Sequence, residues 1–472
     1  MRLTTTKQFF NRFRRDEDGS LLLFGLVALA AMLLLSGLAI DFIRIEGRRA
    51  EAQGVLDTAV LAAADLDQTQ PAATVVRDYL SKKGMLDELD GDPIVDEGLN
   101  YRTVEARLKT NVPLYFSTVA NMFAENDDDR ELMQVPSFAR AQERVAKVEI
   151  SLVLDISGSM ALNNRLPRLK SAATDFVNTV LDDGNGDLVS VSLVPYSEQV
   201  NIGPYLSYGL TRNQVHDFSY CWEIPDSHFR ETYIRSDYTY QQMQHFQWNF
   251  DGRNNDRTTT VCPRYDYEWV RPWSNNRSDL INQINKLQPR AGTAIYLGMK
   301  WGTALLDPSL RWLENAFIDY GLVDEAFRNR PNNYDDEETL KFVVLMTDGE
   351  NSNTQRIQSW AYDAESEYAH WNDYNFNYYL RRYVDQRYWS YYYYEKYTQS
   401  DGNRLLSDMC DAAKDAGIIV WTIGFEVDTY NGNQVMSDCA STPNHFFDVD
   451  GVSISDAFHA IATQINNLKL TR

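Results

Sequence analysis

The sequence predicts an α/β protein: a doubly wound, mainly parallel sheet carried behind an N-terminal transmembrane helix and a small mixed α+β segment. Three observations predict it. From residue 147 onward, apolar runs that do not alternate are separated by amphipathic stretches, the pattern of buried parallel strands and the helices that cover them. Residues 20–40 are 21 consecutive uncharged residues rich in Leu, Ala and Met, which at about 1.5 Å per residue matches a hydrocarbon core of about 30 Å. Residues 67–146 are shorter and mixed, with strand-like alternation over 137–145.

The N-terminal elements follow from charge. The first nineteen residues hold five basic side chains (Arg2, Lys7, Arg12, Arg14, Arg15) against three acidic ones (Asp16, Glu17, Asp18), while the whole 472-residue chain carries −22. The positive-inside rule therefore places residues 1–19 in the cytoplasm, a transmembrane helix over 20–43 and the acidic remainder outside. The apolar run exceeds the h-region of a signal peptide and no persuasive small-x-small cleavage site follows it, so the helix is expected to stay as an anchor. An Ala-rich stem helix is expected over 44–66, with Ala52, Leu56, Ala59 and Ala63 on one stripe. That stripe either packs on the protein's own head or forms a helix–helix assembly face. The acidic cluster 125–131 reads as a solvated loop.

Beyond residue 147 the expected order is strand 148–154, helix 165–181, strand 188–194, helices 280–287 and 294–306, strand 342–346, helix 405–416, strands 418–425 and 445–448, and helix 453–468. Two inserts interrupt it. Residues 201–276 are polar and aromatic, too long for a simple loop. Residues 355–402 include twelve of the 28 tyrosines. This second insert either offers rigid aromatic contact area to a protein or glycan, or folds over the site or onto the first insert.

Some functions are excluded early. A strongly acidic chain without a basic patch does not suit nucleic acid. The charge fits solubility and divalent cations better. Only four cysteines occur, without CxxC, and the histidines are scattered, so zinc and thiol-redox readings fall away. An even count on the predicted extracytoplasmic side reads as two disulfides, and proximity favours Cys221–Cys262 and Cys410–Cys439 over the other connectivities. The run 182–187 lacks the glycine of an EF-hand loop and reads as a helix-to-strand turn.

The chemistry lies at strand ends, where ligands of open α/β sheets bind. Asp155-Ile156-Ser157-Gly158-Ser159 follows the first strand, and alternate residues of that turn can aim a carboxylate and two hydroxyls at one point. Gly292-Thr293 falls between two helices, and Thr347-Asp348-Gly349-Glu350-Asn351 follows a later strand. Hard oxygen donors of this kind suit Mg²⁺, Mn²⁺ or Ca²⁺. No P-loop, GxSxG elbow or paired acid/base signature accompanies them, so no catalytic residue is assigned and an enzyme is not expected; a Mg²⁺-dependent hydrolase, which would share the strand-end carboxylates, is the alternative.

In these three segments residues 147–472 resemble a von Willebrand factor A domain with its metal-ion-dependent adhesion site. The resemblance implies Asp155, Ser157 and Ser159 in the first metal loop, Thr293 in the second and Asp348 in the third. It also implies an open coordination position that a protein partner's acidic side chain can fill. A vestigial, metal-free site is the alternative. The stem residues Gln53, Leu56-Asp57 and Ala62-Ala63-Ala64, the stretches Val194-Pro195-Tyr196-Ser197 and Gly298-Met299-Lys300-Trp301-Gly302, and Cys410 with Cys439-Ala440-Ser441 resemble TadG-like proteins of Flp (tight-adherence) pilus systems. This resemblance spans nearly the whole chain. It implies a bacterial inner-membrane anchor, a periplasmic or extracellular head and pilus-assembly components as partners. One departure matters: pilin-like relatives cut by prepilin peptidase carry Glu five residues after the cleaved Gly, and five after Gly19 stands Phe24. Processing is therefore not expected.

Overall fold

The computed structural model describes residues 18–66, 68–98, 100–116, 132–181, 186–248, 252–427, 429–451 and 453–470. The acidic cluster 125–131 and most of the turn 182–187 lie outside them. The chain divides into two units, 1–144 and 145–472.

The first unit is built on one helix. α1 (Asp18–Ala64) runs 47 residues without a break, where the sequence suggested a span and a separate stem. Without a proline inside, nothing forces a kink at its middle. Its first half leaves Leu21, Phe24, Met32 and Leu35 at least 64% exposed. Its second half buries Ala52, Leu56, Ala59 and Ala63 completely. This Ala stripe packs within its own unit, against α2 (Ala72–Lys82) and a three-stranded antiparallel sheet of β1 (Ile94–Glu97), β2 (Tyr101–Pro113) and β3 (Leu132–Arg144). The β2–β3 ladder is in register from Tyr101 opposite Arg144 to Pro113 opposite Leu132. The period of two puts Val104, Ala106 and Leu108 on the covered face.

The second unit contains a six-stranded sheet. Its strands are β4 (Lys147–Asp155), β5 (Val189–Tyr196), β6 (Arg271–Ser274), β7 (Thr339–Thr347), β10 (Ile419–Phe425) and β11 (Phe446–Val449). The order is β11-β10-β7-β4-β5-β6, parallel except for the edge pair β5–β6. The mixed α/β character and the mostly parallel sheet expected from the apolar runs are both present. One face packs on α3 (Arg165–Val180), α4 (Arg277–Lys286) and α11 (Ser453–Leu470). The other packs on α5 (Ile295–Ala304), α9 (Gln399–Asp415) and α10 (Tyr430–Cys439). Helix α5 is buried on all sides, and two glycines allow it. A Cβ at Gly302 would lie 2.6 Å from Val153, and one at Gly298 would lie 2.7 Å from the ring of Tyr196.

The sequence reading overlooked some elements. β6 lies inside the first insert, has four residues including a proline, and meets β5 through a shifted register. α6 (Arg311–Asp319), although amphipathic with Leu313, Phe317 and Ile318 buried, is short, and α10 is mainly polar. The second insert folds as α7 (Glu365–Asp373) and α8 (Phe376–Tyr383), closed by the antiparallel pair β8 (Thr354–Ile357) and β9 (Tyr393–Tyr397). Disulfides join Cys221 to Cys262 within the first insert and Cys410 on α9 to Cys439 on α10.

Helix α6 buries an acid. Glu314 is fully covered, and neither carboxylate oxygen has a hydrogen-bond partner among the described residues. Burial pushes its pKa up to about 9, reinforced by Glu149 and opposed by Arg330, Lys341 and Arg311. A carboxyl whose folded-state pKa is raised contributes most at low pH and loses that contribution as pH climbs towards the folded value. Glu314→Gln is therefore expected to gain stability over the parent between pH ~4.5 and 9, with a limiting slope of about 1.4 kcal/mol per pH unit. Parallel denaturation profiles of the two proteins across mildly acidic and mildly alkaline buffers would contradict this.

Candidate metal centre

β4 and β7 are parallel neighbours that end together, with Leu154 opposite Met346. Asp155 and Thr347 consequently meet at the carboxyl edge of the sheet. Asp155 Oδ1 accepts the Ser157 N–H at 2.7 Å, and Oδ2 accepts the Thr347 hydroxyl at 2.8 Å. Ser157 and Ser159 hydroxyls are 3.0 Å apart, and Ser159 donates to Asp348 Oδ1 at 2.6 Å. Four of the five expected ligand residues thus form one hydrogen-bonded chain.

Thr293 stands on the adjoining loop. That loop is stitched to the first one by Gly158 N–H to the Ala291 carbonyl (2.8 Å) and Arg290 N–H to the Ile156 carbonyl (2.7 Å). The Thr293 N–H donates to the Ser352 hydroxyl at 3.2 Å. Among the described residues no hydrogen bond joins the Thr293 hydroxyl to the other four. The third loop is fixed by Asn351, whose Oδ1 accepts the Ile295 N–H at the start of α5, at 2.8 Å.

The electrostatics of this edge are divided. Burial, then the nearby charge of Asp348, raises the pKa of Asp155, while the bonds from Ser157 and Thr347 oppose the rise. Burial also raises Asp348, against its bonds to Ser159 and Arg165. Two buried carboxylates among hydroxyls form a hard, electron-rich donor set, which a divalent cation would neutralise. The residues present therefore fit such an ion. Among the described residues no group of three or more His, Cys, Asp or Glu gathers to hold a metal. Coordination here would depend on the hydroxyls.

Sequence reasoning missed three neighbours. Arg165 opens α3 and has a side chain only 9% exposed, with Nη1 3.1 Å from Asp348 Oδ2 and Nε 2.9 Å from Glu426 Oε2. Glu426 sits just past β10 with φ 53° and also pairs with Arg168 at 2.9 Å. Tyr196 donates its hydroxyl to the Met346 carbonyl at 2.9 Å and approaches Asp155 Oδ2 at 3.4 Å. Only Arg165 had a usable signal: it is a charged residue in helical phase with the buried Leu166 and Leu169. Glu198, buried behind Gly292, was also missed. A Cβ on Gly292 would come 3.0 Å from its Oε2, and burial pushes its pKa up to about 7.

The Tyr-rich insert grows from the Asp348 loop and packs on the first insert. Trp371, Phe376 and Leu380 share a core with Phe246 and Val261. The Phe376 N–H donates to the Gln247 carbonyl at 2.6 Å. Trp360, Tyr383, Tyr388 and Tyr391 remain 49–65% exposed.

Comparison with known proteins places the N-terminus. Residues 19–66 match the family model described as "Tad: Putative Flp pilus-assembly TadE/G-like". The resemblance to TadG-like proteins is thus met in α1. No curated protein matches the chain. Among solved structures the chain is similar to the vWF domain of the type V pili tip protein Mfa5 from Porphyromonas gingivalis, with 15% identity, TM-score 0.35, and 70% of this chain and 97% of that one covered. It is similar to the pilus adhesin SpaC from Lactobacillus rhamnosus GG at 14% identity and TM-score 0.33, over 80% of this chain and 33% of that one. The PilB minor pilin from Streptococcus sanguinis gives 14% identity and TM-score 0.32, over 80% and 78%.

Proposed function

We propose that the protein is a membrane-anchored, extracytoplasmic component of Flp (Tad) pilus assembly or adhesion, and not an enzyme. Its second unit is a von Willebrand factor A-type domain that binds a protein partner through a divalent cation. The cation, Mg²⁺ or else Mn²⁺ or Ca²⁺, is held by Asp155, Ser157, Ser159, Thr293 and Asp348, and it supplies an open coordination position for an acidic side chain of the partner. The observation that carries the reading is the hydrogen-bonded chain from Asp155 to Asp348 at the carboxyl edge of a mostly parallel sheet. The Tad-type match supplies the pilus context. Among the described residues one helix is long and apolar enough to cross a membrane, which supports the anchor. Orientation follows from charge, with residues 1–19 in the cytoplasm of a bacterium and the bulk periplasmic or extracellular. Two disulfides suit that oxidising side.

A second reading is a structural scaffold with an idle metal site. It is favoured by Arg165, which already supplies positive charge to Asp348. Replacing Asp155 and Ser157 with alanine separates the two. On the metal-dependent reading pilus formation or surface attachment is lost while the protein still reaches the membrane. Unchanged assembly would leave the scaffold.

A further inference from the structure

The second insert turns a row of aromatic rings to solvent. Between residues 355 and 402 every large apolar side chain left exposed is aromatic, and Trp360, Tyr383, Tyr388 and Tyr391 are the most open, at 56%, 58%, 49% and 65%. The branched aliphatic side chains of the same stretch are withdrawn: Ile357 and Leu380 are buried and Val384 is half-buried. A bilayer surface would recruit the aliphatic groups that this face withholds.

The rings are fixed side by side. Tyr383 lies 5.3 Å from Tyr379, Tyr379 lies 6.3 Å from Tyr392, and Tyr392 lies 4.8 Å from Trp360, between ring centroids. The Trp360 indole N–H donates to the Tyr391 carbonyl at 2.9 Å, and the Tyr391 ring is 6.2 Å from that of Tyr388. The Trp389 indole N–H ties the same loop to the end of α8 through the Val384 carbonyl at 3.0 Å. A row held this firmly gives up little conformational entropy when a ligand is laid on it.

Charge singles out the same face. The whole chain carries −22, yet residues 376–392 hold Arg381, Arg382 and Arg387 against Asp385 alone. Arg382 follows Tyr378 by four residues and Tyr379 by three, so it shares their side of α8. It is exposed and meets no carboxylate among the described residues. Arg387 sets its guanidinium 5.2 Å over the Tyr388 ring and pairs with Asp385 at 2.8 Å, with both partners more than half exposed. Such a surface pair contributes little and yields to a competing anion. Charges further away than about 8 Å are screened at physiological salt, so these arginines set what approaches.

The electron-rich face of an aromatic ring attracts the polarised C–H groups of a sugar ring, and neighbouring guanidinium groups take carboxylates through charge-assisted bonds. We propose that this face binds an acidic polysaccharide: Tyr383, Trp360, Tyr391 and Tyr388 stack on its sugar rings, and Arg382 and Arg387 take its carboxylates. None of these residues is among the five proposed metal ligands, so this binding needs no cation and stands apart from the adhesion-type reading.

Calorimetry on the full chain in a sugar-free detergent, with EDTA present, tests it against hexagalacturonate, a hyaluronan hexamer, neutral maltohexaose and polyglutamate. The expected result is that an acidic oligosaccharide binds at least about tenfold more tightly than maltohexaose or polyglutamate. Trp360→Ala and Tyr383→Ala each weaken that binding by about tenfold, whereas Trp360→Phe, which keeps a ring, stays within about threefold of the parent. Arg382→Gln narrows the preference over maltohexaose severalfold. Tyr320→Ala, at a tyrosine 82% exposed just past α6, leaves binding unchanged. Polyglutamate bound as tightly, with the same losses in the variants, would assign the face to an acidic protein and overturn the proposal. No binding of either acidic oligosaccharide would also overturn it, as would binding that Tyr320→Ala weakens as much as Tyr383→Ala does.

Discussion

Replacing Cys221 and Cys262 together with alanine is expected to destabilise the second unit by about 4 kcal/mol. The pair spans 41 residues, and releasing a loop of that length restores roughly this much chain entropy to the unfolded state. Both residues are fully buried, so alanine leaves no hydroxyl to desolvate. The loss should extend beyond the first insert, because Phe246 and Val261 form part of the base on which Trp371 and Phe376 rest. Denaturation of the full chain in detergent, followed by tryptophan emission, reads the change. A shift below about 1 kcal/mol would mean that the insert is held by packing alone. The Cys410–Cys439 loop is shorter, at 29 residues, and its removal should cost slightly less.

On the proposed metal centre, Arg165→Met is expected to tighten divalent-cation binding by roughly ten- to a hundredfold, about 1.4–2.8 kcal/mol. The guanidinium competes with a cation for Asp348 Oδ2, and a fixed positive charge beside the site lowers its affinity. Removing it frees Asp348 Oδ2, which has no other hydrogen bond among the described residues, while Oδ1 keeps Ser159. Glu426 keeps Arg168 at 2.9 Å and the Gly451 N–H at 3.2 Å. Calorimetry with Mg²⁺ and Mn²⁺ measures the gain. Weaker binding in the variant would instead make Arg165 the group that orients Asp348, and no binding in either protein would favour the idle scaffold.

Legibility in the sequence followed the source of each element's stability. β4 and β7 contain the apolar runs 152–154 and 342–346 because both faces of the sheet are covered, and the strands could be located within one to three residues of their ends. β6 could not, since a four-residue edge strand with Pro272 is made by its neighbour rather than by its own composition. α10 reads as a polar stretch because much of what holds it is the Cys410–Cys439 bridge and the face of α9. For the site, Asp155, Ser157, Ser159 and Asp348 were visible because each follows a strand end that could be recognised. Arg165 offered only its place beside the buried Leu166 and Leu169, and Glu426 offered nothing. Their partnership joins positions 261 residues apart, and no local pattern encodes such a pairing.

The unbroken α1 has a mechanical meaning. A helix of 47 residues is roughly 70 Å of continuous hydrogen-bonded rod, and with no proline hinge it transmits load along its axis instead of absorbing it by bending. A pull applied to the Ala-striped end would therefore reach the lipid-facing residues almost undiminished. The resistance would come from the hydrocarbon grip on Leu21, Phe24, Met32 and Leu35. In the proposed anchored state, tension on the first unit would be borne by the bilayer, and the joint that fails first would be the lipid contact rather than the protein fold.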